Sequence, residues 1–207
     1  MTILLLGVGI ILAVAIIAGV LRVPNNAIRG LGAVAALVVL LVFAALGSVR
    51  YVSENEVGVV IKNFGAELPP GRIIAVNGEK GPQASILGPG WHFFYWPVLY
   101  DVETPAVEEI KSDELGLIKT NDGLPLPSNV AFADEWSQGE VQKMLDAKHF
   151  LADGGGYKGP QATVLRPGKW RINPKLFEIT RVPVTEIEKA TAGVVKSNVG
   201  DPVETPE

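Results

Sequence analysis

Residues 30–49 read GLGAVAALVVLLVFAALGSV, and residues 1–21 read MTILLLGVGIILAVAIIAGVL. Neither run carries a charge, and together they decide what kind of protein this is. Each is about 20 residues long, which at ~1.5 Å per residue makes ~30 Å of helix, the thickness of a bilayer's hydrocarbon core. A soluble fold would need enough apolar chain to wrap each run. The flanking sequence offers none, so both are read as bilayer-spanning helices. Between them lies Arg22-Val-Pro-Asn-Asn-Ala-Ile-Arg29, where Pro24 stops a helix and Asn25-Asn26 suit a turn. So short a link joins antiparallel neighbours, and residues 1–50 are expected to form a transmembrane helical hairpin. A cleaved signal peptide competes for the first run, but it would want a basic start and a shorter apolar core. Small residues recur at four-residue spacing, and Gly9, Ala13, Gly19, Gly32 and Ala36 are the candidates for close helix packing. The plain alternative is that Gly and Ala are common in any such helix.

Charge is placed unevenly along the 207 residues, whose net charge is −4. No Asp or Glu precedes Glu54, and only Arg22 and Arg29 are basic before Arg50. Of 18 basic residues, 16 therefore lie after Val49, against all 22 acidic ones, a balance of about −6. A net-acidic domain without a basic run makes nucleic acid an unsuitable partner, because phosphate binding needs clustered Lys and Arg. The chain has no cysteine, which removes disulfides, thiolate zinc sites and a Cys nucleophile. By the positive-inside rule, Arg22 and Arg29 put the hairpin loop in the cytoplasm. The chain would then sit in the cell membrane with two spans, its soluble domain on the periplasmic or exterior side. Arg50 and Lys62 weigh the other way.

The rest of the chain matches itself. Lys80-Gly-Pro-Gln-Ala84 returns as Lys158-Gly-Pro-Gln-Ala162, and Ile86-Leu-Gly-Pro-Gly90 as Val164-Leu-Arg-Pro-Gly168. Upstream, Glu56-Val-Gly-Val-Val-Ile-Lys62 pairs with Glu114-Leu-Gly-Leu-Ile-Lys119, and Leu68-Pro-Pro70 loosely with Leu124-Pro-Leu-Pro127. So many matches in order indicate a duplicated unit, with an insertion in the second copy. The expected division is 51–110 for the first unit, 111–190 for the second, and 191–207 for the start of a third repeat or a mobile tail. Ala192-Gly-Val-Val-Lys196 supplies the third start, and a chain ending there suggests a piece of a longer protein. Strands are expected over 57–62, 73–76, 91–95, 115–119, 170–172 and 176–183 from their β-branched and aromatic content. One helix is expected over 138–152, with Val141, Met144, Leu145 and Phe150 near one face.

Three features resemble the SPFH, or band 7, family of stomatin, prohibitin and flotillin. An apolar anchor runs straight into Val52-Ser-Glu-Asn-Glu-Val-Gly-Val-Val60. A Pro-Gly turn leads into an aromatic stretch, Gly88-Pro-Gly-Trp-His-Phe-Phe-Tyr-Trp-Pro97. Tyr100-Asp-Val102 follows. The duplicated Lys-Gly-Pro-Gln unit is most similar to bacterial flotillin-like members, which would place the chain in a bacterial inner membrane. With the hairpin, repeat and helix read above, the expected fold is an α+β membrane protein: the two-helix hairpin, then a mostly β domain of the SPFH type with an internal repeat and one short helix. Many members of the family have a single anchor helix or a re-entrant hairpin, whereas two spans are read here. The resemblance implies a homo-oligomeric ring or cage that organises a membrane patch and binds integral membrane proteins such as proteases. The family's long coiled coil is not in this sequence.

No catalytic pattern stands out. The two histidines are His92, in an aromatic stretch, and His149, whose neighbours Asp146 and Asp153 read as ordinary helix surface; a metal site would want more His or carboxylates at ligand spacing. No Gly-x-Ser-x-Gly elbow occurs, and Gly154-Gly-Gly156 followed by Lys158 does not have the order of a phosphate loop. The expectation is a scaffold, not an enzyme, with no cofactor and no metal. The alternative is an accessory subunit of a larger membrane complex, docked through the hairpin. Strand alternation puts Trp91, Phe93 and Tyr95 on one face and His92, Phe94 and Trp96 on the other. Core packing accounts for one face, and His92, Phe94 and Trp96 are the candidates for membrane or subunit contact.

Overall fold

The structure is a computed structural model that describes residues 2–137 and 139–196. It is an α+β fold with two apolar N-terminal helices, each long and apolar enough to cross a membrane, followed by a mostly β domain. Helix α1 covers Thr2–Leu21 and α2 covers Asn26–Gly47. The second helix starts four residues before the expected Gly30. Asn25 takes an extended backbone and its side chain accepts from Ala27 N at 2.9 Å, so it N-caps the helix and draws Ala27 to Arg29 into the first turn. Arg29 then folds back, donating Nε to Val23 O at 2.8 Å and Nη2 to Leu21 O at 3.3 Å. It closes the carbonyl end of α1, where a cation also complements the helix dipole.

Beyond the hairpin come β1 (Arg50–Val52), β2 (Gly58–Lys62), β3 (Gly81–Leu87), β4 (Gly90–His92) and β5 (Tyr100–Glu103). The second series is β6 (Glu108–Ile110), β7 (Glu114–Thr120), β8 (Leu124–Pro125), β9 (Tyr157–Leu165), β10 (Gly168–Trp170) and β11 (Phe177–Pro183), with α3 (Val141–Leu145) and α4 (Ala147–Ala152) between β8 and β9. The described chain forms two compact units. One runs to Val107 and takes in Arg171–Asn173; the other holds Glu108–Trp170 and the chain from Pro174 on. Strand β6, which a boundary at residue 110 would leave in the first unit, pairs with β10 and belongs to the second.

The two units share one register. In the first, β2 lies between β3 and β5; in the second, β7 lies between β9 and β11. Gly58 faces Leu87 and Val59 faces Ile86, then a bulge brings Ile61 opposite Pro82. Gly116 faces Leu165 and Leu117 faces Val164, then a bulge brings Lys119 opposite Pro160. The small pairs β1–β4 and β6–β10 correspond in the same way. Lys62 is therefore the counterpart of Thr120, one place on from Lys119 with which the sequence aligns it. Likewise Leu68 matches Leu126, not Leu124: each is the nearest side chain to a positive-φ glycine, Gly81 or Gly159.

Several expected elements differ. Strands β3 and β9 run through the Gly-Pro-Gln-Ala of the repeated motif, where no strand is expected, and in both a register shift lies next to the proline. Residues 73–76 form no strand beyond the isolated bridge from Ala75 to Gln83. The single helix over 138–152 is two short helices. Asp146 turns to ψ 103 and accepts from Lys148 N and His149 N, ending α3 and capping α4. Gln138 lies outside the described residues. Residues 192–196 pair with no strand among the described residues, and Val194 and Val195 are exposed; the remainder of the tail, 197–207, lies outside them.

The first unit's core gathers Val52, Val57, Val59 and Ile74, and the second's Met144, Phe150, Leu165, Leu176 and Phe177. Each such side chain contributes roughly 1.5–3 kcal/mol by leaving water.

Candidate membrane-interface site

Gly9, Ala13, Gly32 and Ala36 are buried. A Cβ on Gly9 would strike Phe43, and one on Gly32 would strike Val20. These four let α1 and α2 close on each other. Gly19 does not take part: it is exposed, with nothing within 4 Å of a Cβ added there. Outside this seam the helices show their apolar side chains, Ile11 at 69%, Leu31 at 72% and Leu41 at 60% exposure among them.

The hairpin ends in a polar clasp. Ser48 Oγ donates to Ala45 O at 2.7 Å, and Arg50 Nη1 donates to Gly47 O and Val49 O at 3.0 Å each. The last carbonyls of α2 are thereby met by a hydroxyl and a guanidinium. Tyr95 N donates to Ser48 O at 2.9 Å, so the aromatic stretch is pinned to the end of the helix.

Around this clasp sit exposed aromatic rings. Tyr51 on β1 and Trp91 on β4 are cross-strand partners with ring centroids 4.9 Å apart. Trp91 is 66% exposed and Phe94 is 76% exposed; Phe93 and Tyr51 are exposed as well. The expected alternation fails because β4 stops at His92 and Phe94 takes a φ of 70°, a left-handed turn that reverses the side-chain order. Trp91 and Phe93, which alternation assigns to the face opposite Phe94, are thus exposed together with it. His92 is half-buried, and its Nε2–H donates to Gly88 O at 2.8 Å, closing the Gly-Pro-Gly turn. Trp170 Nε1 makes the equivalent bond to Arg166 O in the second unit. Trp96 is half-buried, its carbonyl accepting from Leu99 N and Tyr100 N. Of the three contact candidates only Phe94 is exposed, and Tyr51, Trp91 and Phe93 are exposed with it. The signal for Tyr51 is its place two residues after an apolar run, beyond Arg50.

Tyr95 meets Tyr100 edge-on at 5.6 Å. Burial, and then the neighbouring Tyr100, raises the Tyr95 phenol above its ordinary value. Among the described residues no group of three or more His, Asp or Glu could hold a metal ion, and His149 rests edge-on against Trp136. Compared with protein-family models, curated proteins and solved structures, the chain matches none.

Proposed function

We propose that the chain is a membrane-anchored scaffold of the SPFH type, not an enzyme, whose hairpin spans the bilayer and whose β units work as a homo-oligomer beside it. The observation that carries this reading is the hairpin's exposure. Two helices of 20 and 22 residues bury only a seam of small residues against each other and turn Leu, Ile and Val outward. In water that surface would be strongly unfavourable; in lipid it needs no cover. The aromatic collar of Tyr51, Trp91, Phe93 and Phe94, with Arg50 on the helix end, has the chemistry of a bilayer interface, where ring faces enter the acyl boundary and cations meet headgroups. The scaffold role and the binding of integral membrane proteins rest on the resemblance in residues 52–102.

Flotation of the full chain with lipid vesicles after alkaline carbonate washing tests the anchor; recovery in the unbound fraction removes it. Particle imaging after detergent extraction tests the assembly. A closed ring of identical copies supports the scaffold, and a single copy beside foreign subunits replaces it with the accessory-subunit role. Protease access to the soluble domain in sealed vesicles tests its side, for which the exterior is the reading that Arg22 and Arg29 favour.

A further inference from the structure

Because the two units share a register, the residues of β2, β3 and β5 have counterparts on β7, β9 and β11. The units differ in the loop that precedes β3 and β9. Ala75 N donates to Pro82 O at 2.8 Å and Ala133 N to Pro160 O at 2.9 Å, so both copies are fixed at the same two points. Six residues separate Ala75 from Pro82, but 26 separate Ala133 from Pro160. The additional chain carries Trp136, α3 and α4.

In the second unit this chain covers the sheet face that bears Gln161, Thr163 and Leu165 on β9 and Phe177 on β11. All four are buried, Thr163 and Leu165 completely. The cover is specific. The Phe150 ring lies 5.5 Å from that of Phe177, edge-on, and Trp136 N donates to Thr163 Oγ1 at 2.8 Å. Met144 and Phe150 have no exposed surface left.

The first unit has the same face without a cover. Gln83, Leu87 and Tyr100 are half-buried and Ser85 is exposed, where their counterparts Gln161, Leu165, Phe177 and Thr163 are enclosed. Over this face lies a cleft of about 390 Å³ lined by Val60, Ser85, Leu87, Phe94 and Tyr100, among others. The framework beneath is the same to the level of single bonds. Gln83 Nε2 donates to Glu79 O and Gly81 O at 2.8 Å each, as Gln161 Nε2 does to Tyr157 O and Gly159 O.

We infer that this cleft is a docking site for a short helical segment of a partner protein, one presenting an aromatic ring to Tyr100 and a backbone N–H to the Ser85 hydroxyl. The second unit supplies the pattern for the occupant: an aromatic ring and a Met or Leu on a few turns of helix. A hydroxyl at the position where Thr163 accepts a peptide N–H selects polypeptide over an acyl chain, which has no donor to offer. Tyr in place of Phe177 and Ser in place of Thr163 also fit a face that must be wet when vacant and covered when engaged.

The absence of cysteine gives a clean test. Ser85→Cys places a single thiol in the cleft, and Ala162→Cys, at an exposed position of the second unit, serves as the reference. Each full-length variant is reconstituted in phosphatidylcholine vesicles and its maleimide reaction rate measured. The probe is a synthetic peptide of residues 134–153, used at about ten times its Kd, with its Phe150→Ala version as control. The expected result is rapid alkylation of Ser85→Cys that the peptide slows about tenfold. The control peptide should leave it unchanged, as should either peptide with Ala162→Cys. No protection, or equal protection by the control peptide, overturns the inference. Slow reaction in vesicles before any peptide is added, with fast reaction in short-chain detergent, assigns the cleft to lipid and overturns it too.

Discussion

Single residues separate what supports the fold from what merely resembles support. Gly32 faces Val20 with no room for a Cβ, whereas Gly19 faces open space. Gly32→Leu should therefore lower thermal stability in detergent by about 1–3 kcal/mol through overpacking, and Gly19→Leu should leave the melting temperature unchanged. Four-residue spacing picks out both glycines, because spacing records that a residue is small and says nothing of which side of the helix finds a partner. The paired glutamines make a second comparison. Gln161 and Gln83 hold the same turn, but Gln161 is buried and Gln83 half-buried. Urea denaturation should give a cost of roughly 1–3 kcal/mol for Gln161→Ala, whose carbonyl partners lose a donor away from water, and a smaller one for Gln83→Ala, where water replaces the amide. Tyr95 predicts a pH effect. Burial favours its neutral phenol, so its folded pKa lies above the ordinary 10.0. Stability is fully present below that ordinary value and is lost as pH rises through the raised folded one. Tyr95→Phe should flatten this alkaline decline in denaturation midpoints.

Elements show where local pattern misleads. Gly-Pro-Gln-Ala has the composition of a turn, yet it lies in strands β3 and β9, with a register shift beside the proline at the same place in both sheets. Repetition of the motif was visible in the sequence; its conformation depended on a partner strand about 20 or 40 residues away in the chain. The helix over 138–152 was legible through Val141, Met144, Leu145 and Phe150, all of them buried. The break within it was not, because Asp146 suits an exposed helical position as well as a cap. Phe150 is the anchor of this covering segment. With no exposed surface and a ring contact to Phe177, its replacement by Ala should cost about 3–5 kcal/mol, read by denaturant unfolding. Asp146→Ala should cost about 1 kcal/mol by removing the cap of α4.

For the whole molecule, the apolar front and the acidic remainder were plain from composition alone. The aromatic collar between them was only half legible: the sequence marks Trp91 to Trp96 as an aromatic run, while the left-handed turn at Phe94 decides which rings are exposed. If that collar lies at a bilayer surface, brominated lipids should quench much of the chain's tryptophan fluorescence in vesicles. Trp91→Phe should remove most of the quenching, with a change in stability within about 0.5 kcal/mol, since the side chain is largely exposed. Quenching that survives the substitution would locate the lipid-facing rings elsewhere.

The loop after Ala75 holds one more implication, for protein engineering. Its counterpart after Ala133 already accommodates twenty more residues while the flanking backbone bonds keep their pattern. The link between Val76 and Asn77, ahead of the Gly78 and Glu79 carbonyls that hold Lys62 and Gln83, is thus a natural splice point. An epitope or a small fluorescent module could be threaded there to report on the chain in living cells, and its two junctions would leave the strands on either side as they are.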